Sequence, residues 1–385
     1  IYKDKVNMLL DQGSAYYCFC NPDRLEKLRK RLILEKKHIK YDRACLQLSN
    51  KEIKTKLNKE KYVVRMKIPD HKEISFYDLV RHKITIDSND IDDQIIMKSD
   101  GFPTYHFANI VDDHLMRITH VMRGEEWLPS TPKHIILYKF FNWDEPKFIH
   151  LPLLLNSDRS KLSKRQGDVS VHKYIENGYL SEAIINFIAL LGWHPSSDEE
   201  IFSLQQLKKL FSINRIQKSG AIFDIKKLNW LNSKYLLKMP LEEIVDYLKP
   251  YFINNSFDIA DNNKLQLVVD NARKRANTLN EIVNESKMFY KDLELDLDSL
   301  ANLKSKKSQS ILNELVKQCK KNKLMQGDEF KNLINKIGND KRISGKDLFF
   351  PIRIALYGNT HGPDLSILFS ILGYSESLSR LQKHL

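Results

Sequence analysis

The chain has 385 residues, of which 42% are hydrophobic, and its 62 Lys and Arg against 49 Asp and Glu give a formal net charge of +13. This length predicts two or three domains, and the apolar content suffices for packed cores, which excludes a globally disordered chain. No apolar run approaches the roughly 20 residues that span a bilayer, so no membrane span is expected, while the positive charge favours polyanionic partners such as nucleic acids.

The first hundred residues predict a small α+β unit with a basic surface. Apolar residues at helical spacing predict three helices, over residues 2–12, 22–38 and 49–61. Alternating apolar and polar residues predict two strands, over residues 62–69 and 78–87. We therefore expect residues 14–98 to form a separate insertion.

Four cysteines do not make a disulfide framework, and they predict a reducing compartment. Three of them lie close in sequence: Cys18 and Cys20 in "YYCFCNP", and Cys45 in "YDRACLQL". A C-x-C pair followed by a third cysteine could supply three zinc ligands. The alternative is three small, buried, reduced cysteines. Candidates for a fourth ligand are Tyr41, His38 and, as a poor ligand, Gln47.

Residues 99–152 predict a strand–helix–strand pattern. Pro103 suits the first turn of a helix, and Tyr105 and Asn109 share one face of it because they are four residues apart. A strand is then expected to end at Arg123. Further expectations are a loop over residues 124–130, a helix capped by Ser130 or Thr131, and a second strand over residues 147–152.

This pattern predicts a parallel α/β sheet, in which ligands bind beyond the carboxyl ends of the strands. The residues that follow the first of these two strands are Arg123, Glu125, Glu126 and Trp127. Residues 153–167 follow the second strand, and they include "KLSKRQG" at 161–167. The two groups are therefore expected to share one ligand-binding edge.

The second half of the chain is predicted to be largely helical. Residues 180–195 predict a helix capped by Ser181 and ended by Gly192. Helical periodicity continues beyond about residue 200, and residues 240–385 predict an α-helical domain.

The residue types at the expected edge suggest recognition of anions. Arg123 could form two parallel hydrogen bonds to a carboxylate, with Tyr105 and Asn109 completing a polar pocket. Lys161 and Lys164 could follow the negative charge that develops on phosphate oxygens. Taken singly, the alternatives are a half-buried core tyrosine, a surface ion pair and a solvated loop.

In combination, these segments closely resemble one family. "DGFPTYHFANIVDDHLMRITHVMRGEEW" followed by "HLPLLLNSDRSKLSKRQGDVSV" resembles the catalytic core of bacterial-type glutamyl-tRNA synthetases, class I aminoacyl-tRNA synthetases whose Lys-Met-Ser-Lys-Ser signature matches residues 161–165 as K-L-S-K-R. "GSAYYCFCNP" and "YDRACLQLS" resemble the insertion that binds the tRNA acceptor end. "GYLSEAIINFIALLGW" and "SGAIFDIKKLNWLNSKYL" resemble the stem-contact region, and "GKDLFFPIRIALYGNTHGPDL" resembles the end of the helical anticodon-binding domain.

The resemblance implies an α/β fold with a Rossmann-type parallel sheet, incomplete at its N-terminus, an α+β insertion and a C-terminal all-α anticodon-binding domain. The implied divisions are the end of the first Rossmann half (1–13), the acceptor-binding insertion or connective peptide (14–98), the second Rossmann half (99–157), the stem-contact region with the KLSKR loop (158–239) and the anticodon-binding domain (240–385).

Site roles also follow from the resemblance, position by position. The residues matching those that bind glutamate are Tyr105, Asn109, Arg123 and Trp127, with Arg123 facing a carboxylate of glutamate. The residues matching those that bind ATP are Glu126, Leu153, Leu154, Lys161, Ser163, Lys164 and Arg165, with the two leucines against adenine. Lys161 and Lys164 are implied as catalytic because they would steady the α-phosphate and the departing pyrophosphate.

The implied reaction is that of a glutamate–tRNA ligase, with ATP and Mg²⁺, L-glutamate and tRNA(Glu), and with tRNA(Gln) as a second acceptor left open. A monomer is implied. Some relatives pair C-x-C with Tyr-x-x-x-Cys, which implies that Cys18, Cys20, Tyr41 and Cys45 are candidate zinc ligands. The run "LLLNSDRSKLSKRQGDV" looks most like mitochondrial members of the family, so the mitochondrial matrix is expected, with a bacterial cytoplasm as the alternative.

One departure from the family pattern concerns catalysis. The chain lacks the family's His-Ile-Gly-His signature and does not begin with methionine. We therefore expect a fragment that lacks its N-terminal part and is inactive in isolation.

Other readings predict different domains. A non-catalytic tRNA-binding relative would lose the ATP site. The paralogue that glutamylates a modified tRNA base lacks the anticodon-binding domain, and glutaminyl-tRNA synthetase carries a β-barrel module there. A general DNA-binding protein is disfavoured because no recognition motif is present.

Overall fold

The computed structural model describes residues 1–162 and 170–385. The helices are α1 (Tyr2–Asp11), α2 (Pro22–Leu34), α3 (Asn50–Leu57), α4 (Tyr105–Leu115), α5 (Thr131–Phe140), α6 (Val171–Glu176), α7 (Ser181–Leu190), α8 (Leu204–Leu210), α9 (Ile225–Lys238), α10 (Leu241–Asn254), α11 (Asn262–Arg273), α12 (Leu279–Ser286), α13 (Leu297–Lys304), α14 (Lys306–Cys319), α15 (Gly327–Lys341), α16 (Lys346–Tyr357) and α17 (Leu365–Gln382). The strands are β1 (Ala15–Cys18), β2 (Val63–Met66), β3 (Glu73–Asp78), β4 (His82–Asp87), β5 (Ile95–Met97), β6 (His120–Gly124), β7 (Lys147–Leu151), β8 (Leu154–Leu155) and β9 (Ala221–Ile222).

These described residues form two compact units. The first comprises residues 1–162, 189–199 and 206–223, and the second comprises the remainder. None of the described helices combines the length and the apolar character that a membrane crossing requires.

The main sheet of the first unit contains the expected parallel strands. Its strand order is β4-β3-β7-β6, in which β7 is parallel to both β3 and β6. Helices α4 and α5 cover it with buried apolar side chains, among them Phe107 and Ile135, which belong to the same core as Phe148 of β7. The strand–helix–strand prediction for residues 99–152 is therefore confirmed, and it sets Arg123 of β6 opposite His150 of β7.

One predicted strand is wrong. Residues 78–87 are not continuous, because β3 ends at Asp78 and the chain turns before β4. The Asp78 carboxylate accepts hydrogen bonds from the backbone N–H groups of Val80 and Arg81 and so stabilises this turn. The β3–β4 hairpin extends the main sheet, so the expected insertion over residues 14–98 shares a sheet with the segment that follows it.

A second sheet, β1-β2-β5, is antiparallel, and Cys18 is the last residue of β1. The helices beside it begin where local chemistry predicts. Asn21 caps α2 by accepting the N–H of Arg24, and Ser49 forms a capping box with Glu52 at the start of α3. The described part of the second unit is helical, as expected for residues 240–385, and its largest core includes Phe330 and Phe369 of α15 and α17.

Candidate active site

Arg123 lies at the carboxyl end of β6, where its guanidinium contacts three neutral side chains. Its Nε donates to Nε2 of His150 (3.2 Å), its Nη2 donates to Oγ1 of Thr131 (2.8 Å), and its Nη1 and Nη2 lie 3.3 and 3.4 Å from Nδ1 of His134. Burial lowers the pKa of Arg123, yet an arginine side chain stays charged in proteins. Within the described ranges no carboxylate forms an ion pair with this guanidinium, so its charge is available to a ligand.

Two buried polar side chains, those of His150 and Asp78, form a hydrogen-bonded row that ends at Arg123. His150 is fully buried, and its Nδ1 lies 2.7 Å from Oδ2 of Asp78. Burial raises the pKa of the Asp78 carboxyl, but hydrogen bonds from His150 and from backbone N–H groups outweigh burial and hold that pKa below its usual value. The carboxylate therefore stays ionised and orients the His150 ring.

His134 is also buried, and Nε2 of its ring lies 3.0 Å from Nδ1 of His106. Burial, followed by the positive charge of Arg123, lowers the pKa of His134 to about 2. Burial also lowers the pKa of His106. Both rings are therefore neutral at pH 7.

The other predicted glutamate-binding residues lie on α4 and on the 3₁₀ helix Glu125–Ser130. Tyr105 at the start of α4 is 56% exposed, and its ring centroid lies 5.0 Å from that of Trp127. Asn109 lies one turn further along α4, and its buried Oδ1 has no hydrogen-bond partner among the described residues. The structure thus brings Tyr105 and Trp127 together and leaves an acceptor at Asn109 for a ligand.

The cap predicted at the start of α5 does not form. The segment 124–130, predicted as a loop, contains the 3₁₀ helix and leads directly into α5, so Ser130 already has helical backbone angles and makes no side-chain cap. The hydroxyl of Thr131 bonds to Arg123 instead. A hydrogen bond to a charged group contributes about 1.5–3 kcal/mol and a helix cap about 1 kcal/mol, which explains why the hydroxyl faces Arg123.

Among the predicted ATP-binding residues that the structure describes, Leu153, Leu154 and Lys161 follow β7, and Glu126 follows β6. Nζ of Lys161 lies 3.7 Å from a carboxylate oxygen of Glu126 in an exposed ion pair. Leu154 belongs to β8, which pairs with β9, and the N–H of Leu153 donates to Glu125 (3.2 Å). Three further predicted positions, Ser163, Lys164 and Arg165, lie outside the described residues.

Sequence reasoning missed several residues of this site. His134, His150 and Asp78 received no role, and Thr131 was expected only as a helix cap. The ion pair between Arg81 and Glu125 was also missed. The one available signal was a polar side chain within an otherwise apolar strand, as at His150 in "KFIHLP".

The three predicted cysteines and Tyr41 form one cluster. The cysteine sulfur atoms lie within 4.8 Å of one another, and Oη of Tyr41 lies 3.5 Å from Sγ of Cys18 and 3.2 Å from Sγ of Cys20. Four ligands around zinc at about 2.3 Å are separated by a little under 4 Å, so these spacings fit a tetrahedral site. Burial raises the pKa of Cys20 to about 11, which a bound metal would reverse. The other candidates, His38 and Gln47, are exposed and lie outside the cysteine group.

Comparison with known proteins places this architecture in a class. The family profile "tRNA synthetases class I (E and Q), catalytic domain" matches residues 1–230, and the profile "Anticodon binding domain" matches residues 243–385. With the parallel sheet and the helical second unit, these matches define a class I aminoacyl-tRNA synthetase.

Individual relatives indicate which family of class I synthetases the chain belongs to. Glutamate–tRNA ligase of Alkaliphilus metalliredigens is 42% identical over 390 residues, which cover 99% of this chain and 79% of the relative, and that of Finegoldia magna is 40% identical with 100% and 79% covered. A crystal structure of a glutamate tRNA ligase from Elizabethkingia meningosepticum in complex with its amino acid has a TM-score of 0.88 and 33% identity, covering 100% of this chain and 81% of that one. The chain belongs to the glutamate–tRNA ligase family. The organisms of these relatives are bacteria, so the comparisons do not support the expected mitochondrial location.

Proposed function

We propose that the full-length protein carries out glutamate activation and transfer, and that the residues around Arg123 in this chain hold the glutamate. The α-carboxylate of glutamate attacks the α-phosphorus of ATP, an acyl–phosphate bond forms, and the bond to the β-phosphate breaks with release of pyrophosphate. A hydroxyl of the 3′-terminal adenosine of tRNA(Glu) then attacks the acyl carbon, and AMP leaves. Positioning and electrostatics suffice for both steps, without a protein nucleophile.

The observation that carries this proposal is the unpaired charge of Arg123. Its guanidinium has five N–H donors. Nε and Nη2 donate to His150 and Thr131, and both Nη1 and Nη2 lie within 3.4 Å of Nδ1 of His134. One N–H group of Nη1 remains for a carboxylate of glutamate, together with the positive charge. Tyr105 and Asn109 would complete the glutamate pocket.

On the phosphate side, Glu126, Trp127 and Leu153 would line the nucleotide with Leu154, and Lys161 would exchange its exposed partner Glu126 for a phosphate oxygen. The predicted contributions of Ser163, Lys164 and Arg165 complete this proposal. Bound Mg²⁺ would supply positive charge to the phosphate oxygens of ATP.

The test is glutamate-dependent ATP–pyrophosphate exchange with the full-length protein. Exchange that is lost in Arg123→Ala, with tRNA(Glu) binding retained, supports the proposal. A wild-type protein that binds tRNA(Glu) without exchange would be the non-catalytic relative, and the enzymatic proposal would then fail.

Finer points of the function remain part of the proposal. The Cys18, Cys20, Tyr41 and Cys45 cluster would hold a structural zinc, and the domain division would follow the predicted boundaries. The protein would act as a monomer where bacterial-type protein synthesis occurs, the bacterial cytoplasm or the mitochondrial matrix. Charging of purified tRNA(Glu) and tRNA(Gln) separately would measure its acceptor range.

A further inference from the structure

The groups that hold Arg123 share a chemical property: each is a hydrogen-bond acceptor without charge. An arginine in a protein interior more commonly pairs with a carboxylate, which would cancel its charge. Here the carboxylate of Asp78 is separated from the guanidinium by the His150 ring, and Asp113 affects Arg123 through space without forming an ion pair. Asp78 is occupied by this ring and by backbone N–H groups.

The contacts determine where the ring protons lie. A guanidinium only donates, so Nδ1 of His134, which faces Arg123, must be the acceptor. The proton of His134 is therefore on Nε2, which donates to His106. By the same reasoning, Nδ1 of His150 donates to Asp78 and its Nε2 accepts from Arg123.

Thr131 completes the arrangement from the start of α5. Its Oγ1 accepts from Nη2 of Arg123 at 2.8 Å, and its hydrogen can point to Nε2 of His150 (3.1 Å) or to the carbonyl oxygen of Trp127 (3.3 Å). The three acceptors come from β7 and α5, two rigid elements, so together they fix the plane of the guanidinium.

We propose that His134, His150 and Thr131 are positioning residues that act through Arg123. As uncharged acceptors they fix the guanidinium in one plane and leave its positive charge, with an N–H group of Nη1, for a carboxylate of glutamate. This inference rests on the proposed role of Arg123 in glutamate binding, and it assigns to its neighbours a role in substrate affinity.

Thr131 offers the sharpest test, because its variants separate shape, hydrogen bonding and charge. Thr131→Val keeps the shape and removes the acceptor, so the KM for glutamate in the exchange assay should rise about tenfold, equivalent to about 1.4 kcal/mol. The kcat and the KM for ATP should change less than about twofold, since the lost interaction concerns binding of one substrate. Thr131→Ser restores the hydroxyl and should restore the KM.

A matched pair tests the charge. Thr131→Asn keeps an uncharged acceptor, whereas Thr131→Asp places a carboxylate against the guanidinium, so the KM for glutamate should be at least about tenfold higher in the aspartate variant. His134→Asn, which keeps an acceptor, should likewise bind glutamate better than His134→Leu. His120→Asn, an exposed histidine on the same strand as Arg123, is the control and should leave all constants unchanged.

The outcomes separate this inference from the proposed function. Suppose that Arg123→Leu abolishes exchange. If Thr131→Val and His134→Leu then leave the KM for glutamate unchanged, the positioning role is wrong and the proposed function stands. The same conclusion follows if these two variants raise the KM for ATP as much as the KM for glutamate. If Thr131→Asp and Thr131→Asn are equal, the charge argument is wrong. If Arg123→Leu itself leaves the KM for glutamate unchanged, the proposed role of Arg123 and the inference fall together.

Discussion

Replacing Arg123 with lysine would keep a positive charge at the end of β6 and remove the planar fork. Arginine has five N–H donors and lysine has three. Three acceptors surround residue 123, one each from His150, His134 and Thr131. They already require three donors. A lysine there must therefore leave a buried acceptor unpaired or give up a hydrogen bond to the substrate.

The expected loss follows from the number of hydrogen bonds to the substrate. A hydrogen bond to a charged group contributes about 1.5–3 kcal/mol, so losing one hydrogen bond to the substrate costs about 2 kcal/mol. This corresponds to a kcat/KM for glutamate about 30-fold lower in Arg123→Lys. Arg123→Leu also removes the positive charge that faces the substrate carboxylate, which costs about 4 kcal/mol and should lower kcat/KM several hundred-fold.

Initial rates of ATP–pyrophosphate exchange against glutamate concentration, measured on the full-length protein, give these ratios. Arg117→Lys is the matched control, because Arg117 is an exposed arginine in the turn after α4 and should tolerate lysine without loss. An Arg123→Lys variant that retains a third or more of the wild-type kcat/KM would show that charge alone suffices, and the argument from the fork would be refuted.

The remaining predictions concern metal content, pH and backbone geometry. Cys45→Ser should reduce bound zinc, measured by inductively coupled plasma mass spectrometry, from about one ion per chain to near zero, whereas Cys319→Ser should retain it; equal zinc in both variants would contradict the site. Burial above all lowers the pKa of His134 to about 2 from an unfolded value of 6.5, so its contribution to stability is complete above pH 6.5 and is lost as the pH falls. Urea unfolding measures the free energy of unfolding at pH 6 and at pH 5. The decrease in this free energy from pH 6 to pH 5 should be about 1 kcal/mol smaller in His134→Asn than in wild type, and equal decreases would show that this histidine does not titrate as described. Gly178 has φ +85°, and an added Cβ would lie 2.7 Å from a backbone nitrogen, whereas Gly13 has φ +73° and open space around it. Gly178→Ala should therefore lower the free energy of unfolding by about 1–3 kcal/mol more than Gly13→Ala and give the lower Tm, and similar Tm values would refute the steric argument.

Local chemistry let the sequence determine much of this protein. The spacing of Tyr105 and Asn109 predicted a shared helix, and the strand ending near Arg123 predicted a ligand edge, because helical and strand periodicities depend on neighbours in the chain. The motifs around "KLSKR" predicted that the chain belongs to the glutamate–tRNA ligase family, and the comparisons confirm this prediction. The cysteine spacing predicted a cluster that the structure brings together, although zinc binding itself stays a prediction.

Only the tertiary structure decided what surrounds Arg123. Asp78 and His150 are separated by 72 positions in the chain and meet because β3 and β7 pair, a contact that no local propensity determines. The same pairing attached the β3–β4 hairpin to the main sheet, and the sequence had predicted one continuous strand there. Thr131, which the sequence predicted as a possible helix cap, instead accepts a hydrogen bond from the guanidinium. The common physical reason is burial: a charged group removed from water needs partners, and which residues can reach it depends on how distant segments pack.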